Sequence, residues 1–199
     1  MMEALEMDLP SFNCSFTCAR ARLGRGMKGF LLGYLSLFLV DIEGFPLGHI
    51  EAPLNVNEKQ LVEKLLTRVL GECLEVELLA ADSQFESQGI FQLLDSLKIG
   101  HLIAWRRLKG WDNPPDVLTV KDRIDVEGLE WKKRIYKRLR AVVEGFNGRA
   151  KSRLAYQRLT WQGLGNASTH VSLVLMVVYA VCIAAYRIGR RARAGFIDI

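Results

Sequence analysis

The sequence predicts an α/β fold, a mixed β-sheet flanked by α-helices, and three observations lead to it. Two apolar runs, Phe30–Val40 and Phe45–Ala52, meet at the turn Asp41-Ile42-Glu43-Gly44 and read as a β-hairpin. Beyond them, short apolar runs alternate with segments of helical periodicity. The last third holds two long helical patterns, one cationic and one apolar. With 199 residues, half of them hydrophobic and a quarter charged, the chain can bury a sizeable core, and wholesale disorder is not expected.

Each element has its own justification. Met1–Met7 reads as the end of a strand or as a short helix. Ser11–Gly29, with Gly24, Gly26 and Gly29, reads as a loop. Phe30–Val40 is rich in aromatic and aliphatic residues, as a buried strand requires. Gly44 sits where the chain must reverse. Asn57 caps a helix in which Leu61, Val62, Leu65, Leu66, Val69 and Leu70 recur at helical spacing. Glu75–Ala81 is a short strand ending at Asp82. Gln84–Leu97 is helical, with Ile90, Leu93, Leu94 and Leu97 as its apolar stripe, and Gly100 breaks it. His101–Trp105 is a further strand. Gly110–Gly128, with Pro114 and Pro115, is a loop or insertion. Trp131–Leu154 is a basic helix, Ala167–Arg187 an apolar one, and a basic tail follows. A hairpin unit followed by alternating helix and strand is the order of the RNase H-like fold. The expected organisation is a core over 1–165, with 110–128 as its insertion, and a segment 166–199 made of the apolar helix packed on the core plus the tail.

Charge and cysteine usage narrow the class. A formal charge of +5 suits a polyanionic partner, nucleic acid or an anionic membrane surface. Cys14, Cys18, Cys73 and Cys182 do not form a dense secreted framework, so a reducing compartment is expected. Cys14 and Cys18 lack a second Cys/His pair at zinc-site spacing, since His49, His101 and His170 are scattered; two free thiols are the simpler reading. The acidic start MMEALEMDLP is no signal peptide.

Two motifs carry a resemblance. In Leu78–Leu97 (LLAADSQFESQGIFQLLDSL) a strand ends in Asp82, with Phe85 and Ser87 opening a helix. In Arg140–Lys151 (RAVVEGFNGRAK), an arginine stands four before Glu144 and a lysine seven after it. Both segments resemble catalytic motifs of DDE-class insertion-sequence transposases. The signature's tyrosine, three before the arginine, is replaced here by Lys137, with Tyr136 one residue away. Gly33–Asn57 is similar to the family's hairpin and following loop. The resemblance covers nearly the whole chain and implies a catalytic RNase H-like domain, N-terminally truncated.

The function it implies is DNA transposition, that is, metal-dependent DNA cleavage and strand transfer in DNA recombination. Family members hold two divalent ions on two aspartates and a glutamate. By resemblance these are Asp8, Asp82 and Glu144, acting as catalytic residues and as ligands of Mg2+ or Mn2+. Oxygen donors suit such hard cations, and two ions can serve the attacking and leaving oxygens of a phosphodiester. Arg140 and Lys151 would contact the DNA backbone, joined by Lys137, Arg149 and Arg153. DNA, both transposon ends and target, is the expected partner, with a homodimer as a further expectation, and the location is cytoplasmic and nucleoid-associated. A catalytically inactive, truncated copy that still binds DNA is one alternative.

The residues leave other readings open. Asp8 competes with Asp41 as first aspartate: a parallel pairing of first and fourth strands would set Asp8 beside Asp82, whereas Asp41 suits a turn role. Asp8 also reads as a capping or solvent residue ahead of Pro10. Asp82 also reads as a helix N-cap, and Glu144 as a solvated charge. Against the latter, Trp131–Leu154 has nine lysines and arginines and one acid, Glu144. Trp105, Trp111, Trp131 and Trp161 read as base-stacking or core residues. Finally, Val171–Tyr186 has sixteen uncharged residues before Arg187, Arg190, Arg191 and Arg193. A membrane helix needs about twenty, so a core helix is favoured, and a small basic membrane-associated protein is the rival reading.

Overall fold

The computed structural model describes residues 2–8, 22–26, 29–72, 75–103, 130–154, 156, 159 and 163–189, with only the backbone of 2–8, 22–26, 29–31 and 130–133. It is a mixed α/β architecture. In order come strands β1 (Met2–Asp8), β2 (Arg22–Gly26), β3 (Gly29–Val40) and β4 (Pro46–Pro53), helix α1 (Lys59–Gly71) and β5 (Leu78–Ala81). A 3-10 turn (Ser83–Phe85), α2 (Gln88–Ser96), β6 (Gly100–Ile103), α3 (Glu130–Arg153) and α4 (Leu164–Arg187) follow.

The six strands form one sheet in the order β2-β3-β1-β5-β6, with β4 also paired to β3. β3 is antiparallel to β1, β2 and β4, while β5 runs parallel to both β1 and β6. β1 and β2 both pair with Gly33, so they flank β3 on opposite edges. Every residue from Gly33 to Val40 is buried, because elements cover both faces of this central strand. That explains a continuous apolar run in place of alternation.

Several expectations change. The first segment is a strand, and its helical reading is set aside. Arg22–Gly26, inside the expected loop, forms β2 through a ladder with β3; glycine-rich composition hides a strand whose stability comes from its neighbour. The expected helix Gln84–Leu97 is split, because Ser87 is extended and caps α2 by accepting from the Ile90 amide at 3.3 Å. Gly100 begins β6 as well as following the helix. The insertion 110–128, Cys14, Cys18, Cys73 and the basic tail lie outside the described residues.

One hydrophobic core joins sheet and helices. Phe38 packs edge-on against Phe146 of α3 and against Tyr156, with ring centres 5.4 and 5.6 Å apart. α1 contributes Leu61, Val62, Leu65, Leu66 and Val69. α4 buries Ala167, Val171, Val174, Leu175, Val178 and Cys182, and its main sheet partner is β4. Its other face exposes Leu173, Met176, Val177, Ile183 and Tyr186.

Candidate acidic site at the end of strand β5

β5 is short and fully buried from Leu79 to Ala81, and at its carboxyl end the chain turns into the 3-10 turn. Asp82 starts that turn: its Oδ1 accepts from the Ser83 amide at 2.7 Å. The N-cap reading of Asp82 is therefore real, and it leaves the carboxylate over a third exposed. In α3, Val143, Phe146 and Ala150 turn inward, which sets Glu144 outward, 58% exposed.

Arg140 joins the two. Its Nη2 donates to Glu144 Oε1 at 2.9 Å and its Nη1 to Asp82 Oδ1 at 3.5 Å. The two carboxylates thus face each other across one guanidinium, although they are distant in sequence. Burial, the largest single influence, lowers the Arg140 pKa, but Asp82, Tyr136 and Glu144 outweigh it and the net shift is upward. Tyr136 completes the arrangement. Its hydroxyl lies 3.4 Å from the Ala81 carbonyl, so it reaches the site despite its shifted place in the motif.

The remaining candidates divide. At 100° per residue, Lys137 and Lys151 fall within about 20° of Glu144 around α3, whereas Arg149 stands about 140° away and Arg153 about 180°. Arg149 instead lies near Cys182 of α4, where its charge lowers the thiol's pKa against a larger upward effect of burial. Lys137 and Lys151 thus share the Glu144 side of α3, and Arg149 and Arg153 do not. The Asp41 carboxylate accepts from the Glu43 and Phe45 amides at 2.9 and 2.8 Å, the turn role expected of it.

β1 and β5 are parallel neighbours, but their register keeps Asp8 from Asp82. Met2 stands level with Ala81 and position 3 with Asp82, so Asp8 lies five residues beyond the level of Asp82, about 17 Å at a strand's rise. The acid position level with Asp82 is Glu3. Antiparallel partners share a sheet face, and position 3 pairs with Phe38, whose ring meets Phe146 of α3. Position 3 is thus on the face covered by α3, and position 8, of opposite parity, is on the other. Composition and spacing give no sign of Glu3, because register between distant strands is invisible in them. Among the described residues no three of His, Cys, Asp and Glu gather in a metal-binding group; the side chains of β1 are not among them. Beyond the Trp131 backbone, the tryptophans also lie outside the described residues.

A second polar cluster sits under α3 and α4. The His49 Nδ1 and Glu51 Oε1 are 2.7 Å apart and largely buried. Ser36, paired with Glu51 across the β3–β4 ladder, and Tyr156 bury hydroxyls that meet no hydrogen-bond partner among the described residues. Burial, the largest influence on it, pushes the Tyr156 phenol well above its ordinary pKa.

The chain matches no family model, no curated protein and no solved structure.

Proposed function

We propose that this chain is a metal-dependent DNA strand-transfer protein of the DDE transposase type, on an RNase H-like sheet. The strand order β4-β3-β1-β5-β6, antiparallel through β1 and parallel beyond it, supports that fold. The observation that carries the function is the meeting of Asp82 and Glu144 across Arg140 at the carboxyl end of β5.

The donor chemistry fits Mg2+ or Mn2+. Both groups offer hard carboxylate oxygens, which these ions prefer, and both are open to solvent. Asp82 and Glu144 would hold the ions, and Glu3, level with Asp82, is the better candidate than Asp8 for the third carboxylate. Once bound, two ions would activate an attacking oxygen and stabilise a leaving one. Arg140 neutralises the two acids in their absence and would release them to the ions. Lys137 and Lys151, on the face of Glu144, would neutralise DNA phosphates and fix the backbone, which gives affinity without sequence choice. Water or a DNA 3′-hydroxyl is the nucleophile. A cytoplasmic, nucleoid-associated location and a homodimer belong to the same reading.

The test is Mn2+-dependent cleavage of labelled duplex DNA by the parent beside four variants. Glu144→Gln, Asp82→Asn and Glu3→Gln lose cleavage, whereas Asp8→Asn retains it. Equal cutting by parent and Glu144→Gln would remove the carboxylate assignment. Salt-dependent binding without cutting by the parent would leave the DNA-binding, inactive alternative.

One observation favours a second reading, association with a membrane surface. α4 is long and apolar enough to cross a membrane, a third of its most apolar window is buried, and Leu173, Met176 and Ile183 face outward. Co-sedimentation with anionic vesicles, lost in Leu173→Ser/Met176→Ser, would support it.

A further inference from the structure

Strand β4 is separated from β5 by β3 and β1, and both α1 and α4 pack on it. Gly48 lets α1 come close, since a β-carbon there would stand 2.6 Å from Val69 Cγ2. That approach brings Arg68 and Glu72, one helical turn apart, to the strand. Arg68 Nη1 donates to the His49 carbonyl at 3.5 Å. From α4 the Tyr179 hydroxyl donates to the Pro46 carbonyl. Both helices are thus tied to the backbone of β4, and a cavity of about 250 Å³ is enclosed by the three elements. Its walls are apolar at Leu47, Val69, Leu175 and Met176, and polar at His49, Arg68, Glu72 and Ser172. The two charges are not spent on each other. Arg68 and Glu72 approach only to 3.9 Å, too long for a hydrogen bond, and their side chains are 61% and 62% exposed. The imidazole is fixed in place: Glu51, 6% exposed, meets His49 Nδ1 at 2.7 Å. Among the described residues His49 Nε2 has no partner.

We infer that this cavity binds a small zwitterion, an α-amino acid with an apolar side chain. Charge selects the class. A simple anion would meet Glu72 and a simple cation Arg68, whereas an α-amino acid carries a carboxylate and an ammonium on one carbon and answers both. Arg68 presents its planar fork to the carboxylate, which the Ser172 hydroxyl can also reach as a donor. Glu72 pairs with the ammonium, and His49 Nε2 accepts from it while Nδ1 serves Glu51. Size limits the choice, because about 250 Å³ falls below the roughly 300–1,000 Å³ of pockets for drug-sized ligands. The remaining walls, Leu47, Val69, Leu175 and Met176, gain from covering an apolar side chain. With two strands between β4 and β5, the cavity stands apart from the acids at Asp82 and Glu144, and its occupancy is independent of the proposed DNA chemistry.

The experiment is a saturation-transfer difference NMR titration of the full chain with L-leucine, without DNA or metal. Saturation at millimolar concentration is expected. N-acetyl-L-leucine keeps only the carboxylate and L-leucinamide only the ammonium, and each binds about fivefold more weakly, the effect of one exposed charge pair. Glycine has both charges and no side chain, and it does not saturate. Arg68→Gln weakens L-leucine by about the same factor and does not weaken L-leucinamide. Glu72→Gln weakens L-leucine likewise and does not weaken N-acetyl-L-leucine. Both variants keep the far-UV circular dichroism of the parent, as their exposure requires. Failure of L-leucine to saturate the parent overturns the inference. So does equal binding of glycine or of either singly charged analogue, or parent-like binding of L-leucine by both variants. Should a variant fail to fold, the four ligands on the parent still decide the matter.

Discussion

At Asp82 one side chain serves two roles that substitution can separate. Its oxygen caps the turn after β5, and its charge faces Arg140. Asp82→Asn keeps an oxygen for the Ser83 amide, whereas Asp82→Ala loses it at a cost of about 1 kcal/mol. Urea unfolding should show Asn near the parent and Ala below it, with both variants failing to cleave DNA. A residue that only capped would keep activity in the Asn variant. Arg140 gives the complementary case. Its ion pairs are more than a third exposed on each partner, so each contributes at most about 1 kcal/mol. Arg140→Ala should therefore unfold within a few degrees of the parent, about 2–4 °C lower per kcal/mol lost. It should also bind Mn2+ more tightly in a calorimetric titration, since the competing cation is gone; unchanged or weaker Mn2+ binding would count against the shared site. Tyr156 shows a purely structural titration. Its folded pKa is raised by burial, so its contribution is complete below about pH 10, the unfolded value, and is lost as pH rises through the folded one. Tyr156→Phe should unfold less readily than the parent above pH 10, and removing an unpaired buried hydroxyl should cost it little at neutral pH.

Among the elements, legibility follows how local each cause is. α1 is readable because Leu61, Leu65 and Val69 recur on one face, and all three are buried. The Asp41–Gly44 turn is readable because Asp41 bonds amides two and four residues ahead, and Gly44 adopts a φ of 93°. β2 is not, since its ladder depends on β3 and its glycines argue for a loop. The break between the 3-10 turn and α2 is written in Ser87, an N-cap residue that helical periodicity alone absorbs into a longer helix. α4 reads as a core helix, and its inner face is one. Its outer face departs from that reading: Leu173, Met176, Ala180 and Ile183 recur at three and four residues, all exposed. A stripe of that spacing suits a second helix. Leu173→Glu/Ile183→Glu should keep the thermal stability of the parent and lower any concentration-dependent mass in sedimentation velocity, whereas a monomeric parent would make the stripe irrelevant to assembly.

For the whole molecule, the convergence of acids depends on two quantities that a sequence does not print, strand register and helix azimuth. Motif spacing singles out Asp82 and Glu144, which meet across Arg140, because each is placed by local structure, a strand end and a helix face. It fails at Asp8, because the offset of β1 against β5 is decided by the pairing with β3, where Asp8 meets Gly33 and Met2 meets Leu39. Azimuth also gives the net charge of +5 a local meaning. If Lys137 and Lys151 lie on the DNA face with Glu144, and Arg149 and Arg153 on the far side of α3, the cations are not equivalent in binding. Removing one cation that neutralises a phosphate should flatten the slope of log Kobs against log salt by about 0.9. Lys137→Ala/Lys151→Ala should therefore reduce the slope by about 1.8, measured by anisotropy with duplex DNA between about 50 and 200 mM salt. Arg149→Ala/Arg153→Ala should change it far less. Equal reductions from both pairs would mean that DNA is held by diffuse charge around α3, and nothing would then tie this helix face to the acids at the end of β5.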